Sequence, residues 1–105
     1  MTITVEAIKA MREDEGFTLK GYDTINYKTG YQVATEGTTT TEATEAMQQI
    51  NNYKGNCGVW YNKGIYYIDK SHRVSTKREA IKEGKEHNQI SIYCWKNKNK
   101  KLAYC

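Results

Sequence analysis

The stretch GVWYNKGIYYIDK, residues 58–70, reads as a β-hairpin, and that reading decides the fold. Asn62-Lys63-Gly64 supplies the turn, since three residues ending in glycine suit a loop with a left-handed bulge residue. The flanks are rich in β-forming residues. Trp60, Tyr61, Tyr66 and Tyr67 lie inside the stretch, and Tyr53 lies just upstream. Val59, Tyr61, Ile65 and Tyr67 are expected on one face, and Trp60, Tyr66 and Ile68 on the other. Both sets are apolar or aromatic, unlike the alternation of a sheet with one wet face. Such a hairpin needs cover twice, once from the chain's own helices and once from something else.

The segments on either side fill out an α+β order. Thr2 to Glu15 places Ile3, Ala7, Ala10 and Met11 at helical spacing, with Gly16 expected as the C-terminal cap. FTLKGYDTINYKTG and YQVAT follow as strands, and Lys28-Thr29-Gly30 predicts a hairpin between them. In EGTTTTEATEAMQQINN the period changes, and Ala43, Ala46, Met47 and Ile50 line one helix face. Thr39 with Glu42 makes a capping box at its start. After the aromatic hairpin, TKREAIKEGKEHN predicts a third helix capped by Thr76 with Glu79, its inward stripe being Ala80, Ile81 and Gly84. QISIYCW is a last strand, and KNKNKKLAYC, residues 96–105, is a basic tail expected to be partly mobile. The expectation is one domain over residues 1–105: a mostly antiparallel sheet of about five strands, helices on one face, in the order α-β-β-α-β-β-α-β.

Composition narrows the function classes. At 105 residues with 38% hydrophobic content, the chain is short of aliphatic side chains, so its nine tyrosines must supply much of the buried area. No run approaches the roughly 18 apolar residues of a membrane helix, and the start MTITVEAIKAMREDEG lacks the apolar core of a signal peptide. A cytoplasmic setting is expected. Cys57, Cys94 and Cys105 are odd in number and form no C-x-x-C pair, which fits thiols in a reducing compartment. Charge is unevenly divided. Residues 1–52 carry four basic against eight acidic side chains, a balance of −4, and residues 53–105 carry twelve against four, a balance of +8. That polarity predicts an acidic partner for the second half, or head-to-tail association.

Enzyme chemistry finds no frame. There is no G-x-S-x-G, no phosphate-binding glycine loop, no H-E-x-x-H and no carboxylate pair in an apolar setting. Cys94 with His72 or His87 would make a nucleophilic pair only if folding joined them. Asp69, His72 and His87 match no metal-ligand spacing, His72 being expected in a solvated connection. No cofactor or metal is expected.

Binding is better founded. Tyr93 and Trp95 are interleaved with Lys96, Lys98, Lys100 and Lys101, and DKSHRVSTKR adds Lys70, Arg73, Lys77 and Arg78. Cations neutralise phosphates and rings stack on bases, so a small nucleic-acid-binding regulator is one reading. Protein binding is the other, because Trp, Tyr and Arg are enriched at interface hot spots. The partner-binding candidates are Trp60, Tyr61, Tyr66, Arg73, Arg78, Tyr93, Trp95 and Lys96. A tyrosine-rich core competes with both readings, and a homodimer burying the aromatic face would satisfy core and interface together.

GVWYNKGIYYIDKSHRV and REAIKEGKEHNQISIYCWKN, within residues 55–97, resemble the ending of small proteins carried by phages and other mobile elements. Anti-CRISPR proteins and other antagonists of host defence are among proteins of that kind. The resemblance implies a phage-encoded stoichiometric inhibitor, not an enzyme, acting on a host protein or ribonucleoprotein complex in the bacterial cytoplasm. Its motifs are structural, and Cys94 stands where an acidic residue is expected, so no charge-based role follows for that position.

Overall fold

The computed structural model describes residues 2–86, 92–94 and 101–102. These contain helices α1 (Val5–Lys9), α2 (Ala43–Asn52) and α3 (Lys77–Glu86). The strands are β1 (Gly16–Lys20), β2 (Asp23–Thr24), β3 (Tyr31–Thr40), β4 (Cys57–Asn62), β5 (Ile65–Val74), β6 (Ile92–Cys94) and β7 (Lys101–Leu102). The class is α+β. The expected order is met, with the two-residue strands β2 and β7 added. The chain divides into two compact units, residues 1–25 with 37–70 and residues 26–36 with 71–105. β3 and β5 contribute residues to both.

In the first unit the strands run β2-β1-β4-β5-β3, and the β1–β2, β1–β4 and β4–β5 pairs are antiparallel. The β4–β5 register pairs Asn62 with Ile65, leaving only Lys63 and Gly64 in the turn, at φ 52° and 77°. This is a two-residue turn with both residues left-handed, not the expected three-residue loop. A one-residue change in a turn reassigns faces, because side chains alternate with period 2. Val59 therefore sits opposite Ile68, Tyr61 opposite Tyr66 and Trp60 opposite Tyr67. The inward set is Cys57, Val59, Tyr61, Tyr66 and Ile68.

Those inward residues join Leu19 of β1, Ile8 of α1, and Ala46 and Ile50 of α2, with Ile3 and Met11, in one core. Ala43 and Met47 pack on its edge, so the expected inward face of α2 is the observed one. Each fully buried aliphatic side chain contributes about 1.5–3 kcal/mol.

Three local expectations are overturned, the first two by contacts between distant residues. The first helix stops at Lys9, after starting at Thr4, whose Oγ1 accepts the Ala7 amide at 3.1 Å. Beyond it, the Asp14 amide donates to the Tyr61 carbonyl at 2.8 Å and the Tyr61 amide donates to the Glu15 carbonyl at 2.9 Å. Gly16 is then the first residue of β1 instead of a helix cap, and a Cβ there would lie 3.1 Å from the Val59 carbonyl oxygen. Second, β1 does not pair with β3 across Lys28-Thr29-Gly30. It turns at Gly21-Tyr22 into β2, and its other edge takes β4, which buries Leu19 against Cys57. Third, the threonine run continues β3 to Thr40, as β-branched residues favour. The Thr39–Glu42 box gives way to Thr40, whose Oγ1 accepts the Glu42 amide at 3.1 Å and donates to Glu45 Oε2 at 2.8 Å. At the β2 rim, Thr2 bridges Asp23 and the Ile3 amide donates to the Tyr22 carbonyl at 2.8 Å.

In the second unit the strand order is β5-β3-β6-β7, with the β3–β6 and β6–β7 pairs antiparallel. Val33, Val74 and Ala80 form its core, with Tyr31 packed on it. Thr76 caps α3 as expected: its Oγ1 accepts the Glu79 amide at 3.2 Å and its carbonyl accepts the Ala80 amide at 3.1 Å. Ile81, expected inward, is 36% exposed. One residue beyond Ala80 is a 100° rotation away from the core, and the small Ala80 makes the contact with it. Of the expected last strand, Ile92–Cys94 is β6. Of the expected tail, Lys101–Leu102 is β7 and pairs with it. Trp95, Lys96, His87 and Cys105 lie outside the described residues.

Candidate functional site

The outward face of β1, β4 and β5 in the first unit follows from the same register. Alternation with the buried set turns Gly16, Thr18, Gly58, Trp60, Tyr67 and Asp69 away from the core. Trp60 and Tyr67 face each other across the β4–β5 pair, with ring centroids 4.9 Å apart and planes tilted by 35°. Both rings are only partly buried, and neither belongs to the core of α1 and α2. Gly16 is the β1 residue opposite Trp60 and Gly58 is two residues before it on β4, so neither of these neighbours places a side chain beside the indole.

The indole is fixed in place. Trp60 Nε1 donates to Asp14 Oδ1 at 2.9 Å, and Asp14, at φ 66°, is held by the hydrogen bond its amide donates to the Tyr61 carbonyl. Glu13 Oε1 accepts the Lys63 amide at 2.7 Å, tying the same acidic loop to the turn. Within this unit, the carboxyl groups of Asp14 and Glu13 therefore stand beside the hairpin that carries the ring pair.

The other sequence candidates divide by position. Tyr66 is a core residue, 6% exposed, with its hydroxyl donating to the Ile8 carbonyl at 3.1 Å and its ring 4.7 Å from that of Tyr61. Burial, then the neighbouring Tyr61 and Glu42, push its phenol pKa up. Tyr61 is also inward, packed on the same core. Trp60 and Tyr66 thus lie on opposite faces and cannot form one surface. Arg73 belongs to the second unit. Its Nε donates to the Thr29 carbonyl at 3.0 Å, Nη2 donates to Thr29 Oγ1 at 3.3 Å, and its guanidinium lies 5.1 Å above the Tyr27 ring. These contacts tie down the 27–30 loop. Arg78 is exposed on α3. The Tyr93 backbone pairs with Gln32 and Lys101. Tyr67 was missed by the sequence reading. A two-residue reading of the turn would have found it, because that register sets it opposite Trp60.

His72 lies in β5 instead of a connection and is hydrogen-bonded to Glu83 of α3 at 2.6 Å. Among the described residues, no three His, Cys, Asp or Glu side chains are grouped to hold a metal ion, and no helix is long and apolar enough to cross a membrane. Comparison with known proteins returns no matching family model, no matching curated protein and no matching solved structure.

Cys57 is a free thiol with no exposed surface. Burial, then the Asp69 carboxylate, push its pKa up to about 12. A raised thiol pKa favours the neutral, unreactive form. In a Cys94→Ser/Cys105→Ser background, a thiol reagent at pH 8 is expected to label Cys57 only in denaturant. Fast labelling of the folded protein would contradict the buried placement. The linked stability is fully present below the unfolded thiol's pKa of 9.0 and is lost as pH rises from there through about 12. Urea titrations across that window should show a shallower loss in Cys57→Ala.

Proposed function

We propose that this protein is a non-enzymatic binding protein, a phage-encoded stoichiometric inhibitor of a host defence component in the bacterial cytoplasm. It docks on a host protein through the outward face centred on Trp60 and Tyr67. The observation that carries the reading is that paired, partly exposed rings stand on the sheet face opposite the one that α1 and α2 cover. Two large rings already held in position lose little side-chain freedom on docking, which is why such residues anchor interfaces. Glu13 and Asp14 beside them favour a partner patch bearing lysine or arginine. The likeness of residues 55–97 to small phage and mobile-element proteins supports the inhibitor role, anti-CRISPR-like action included.

Affinity capture from a host lysate tests this. Wild-type protein is expected to retain one host protein in moderate salt, and Trp60→Ala and Tyr67→Ala each to lose at least tenfold of that recovery while keeping the wild-type melting temperature within a few degrees. Unchanged recovery of every partner in both variants would overturn the reading. Recovery of the chain alone would replace the host partner with a homodimer.

A further inference from the structure

Helix α3 is divided by charge. At 100° per residue, Arg78, Lys82 and Lys85 fall at i, i+4 and i+7 along one flank, while Glu79, Glu83 and Glu86 repeat the same spacing along another. Ala80 faces the core of the second unit, and Glu83 on the acidic flank is engaged with His72 of β5 at 2.6 Å. The three cations are exposed, and among the described residues none forms a hydrogen bond or ion pair with Arg78, Lys82 or Lys85. Segregation matters energetically. Lys82 has Glu79 three residues before it and Glu86 four after, but Arg78 and Lys85 have no acidic residue at i±3 or i±4, so the flank keeps a positive field for a partner to meet.

We propose that the Arg78–Lys82–Lys85 flank of α3 binds the sugar–phosphate backbone of nucleic acid. Spacing and charge complementarity argue for this occupant. Seven residues of helix span about 10 Å, which matches about three phosphates of one strand at roughly 3.4 Å per step along a duplex. Arg78 adds the planar fork that pairs with two phosphate oxygens. Ile81, at 36% exposed, borders the cationic flank on the side away from the glutamates and offers an aliphatic surface to the sugars. The unit as a whole is strongly cationic: residues 26–36 and 71–105 carry ten basic and four acidic side chains, a balance of +6. The other unit carries six and eight, a balance of −2. This inference is independent of the role given to Trp60 and Tyr67.

Fluorescence anisotropy with a labelled duplex of about 20 base pairs, over roughly 50–200 mM salt, supplies the test. Wild-type protein should bind with an affinity that falls steeply with salt. The Arg78→Gln/Lys82→Gln/Lys85→Gln variant should bind at least tenfold more weakly at the lowest salt, with its log–log salt slope reduced by about 2.7. A charge-preserving Arg78→Lys/Lys82→Arg/Lys85→Arg variant should retain the slope, which a merely structural role would not require. Lys9→Gln/Lys20→Gln/Lys54→Gln, with the same change in net charge but in the first unit, should leave the slope within one. No binding by the wild type, an unchanged slope in the α3 triple variant, or equal losses in both glutamine triples would each overturn the proposal. So would equal affinity for polyglutamate, which would make the occupant an acidic protein.

Discussion

Gly55→Ala is expected to lower stability by about 3 kcal/mol or more. Gly55 sits at φ +73°, where an L side chain is strained by about 1–2 kcal/mol. The space is closed as well. A Cβ at Gly55 would land on the backbone nitrogen of Tyr22, with the Tyr22 ring 2.6 Å away. The Tyr22 backbone cannot retreat cheaply, because its amide donates to the Gly55 carbonyl at 3.1 Å and its carbonyl accepts from Ile3 at 2.8 Å. Gly55 also donates to the Ile50 carbonyl at 2.9 Å, so it ends α2 and releases the chain toward β4. Gly64→Ala is the control. It has φ +77° but nothing within 4 Å of the added methyl, so it carries the conformational cost alone. Urea unfolding should separate the two by about 2 kcal/mol, and equal losses would refute the steric argument.

Tyr66→Ala is expected to cost about 3–5 kcal/mol, as for other large side chains removed from a core. Tyr66→Phe should cost about 1 kcal/mol. The lower figure follows because the Ile8 carbonyl that receives the phenol also accepts the Met11 amide at 3.2 Å and is not orphaned. Thermal unfolding of both variants checks the pair. A small loss for Tyr66→Ala would mean that the ring is not part of the core. Partner capture by Tyr66→Ala would fall with folded protein and reveal nothing about an interface. Tyr67, one residue on and facing the other way, is the informative substitution.

Much of the architecture was legible because it rests on local signals. The inward face of α2 shows as Ala43, Ala46, Met47 and Ile50 at helical spacing, and the Thr76 cap is a short-range hydrogen bond. The failures occur where distant residues decide. Nothing near Arg12 announces that the Asp14 amide will bond to Tyr61, forty-seven positions away, and cut the first helix short. The site was half legible for one reason. Asn62-Lys63-Gly64 accommodates either a two- or a three-residue turn, and the choice requires Lys63 to accept a left-handed conformation that lysine does not favour. That one residue moved Tyr66 into the core and brought Tyr67 beside Trp60. Arg73 was misplaced differently: its type suited a rim, but Thr29 and Tyr27 already hold it.

The short β2 segment has a bearing on how anything can approach the first unit. Thr2 and Ile3 already occupy backbone positions along that border, so little hydrogen-bonding potential is left there for a foreign peptide to extend the sheet. Augmentation by an added strand is disfavoured on that side. Recognition at this unit has to come through the shape and chemistry of side groups, which single substitutions can dissect one ring at a time.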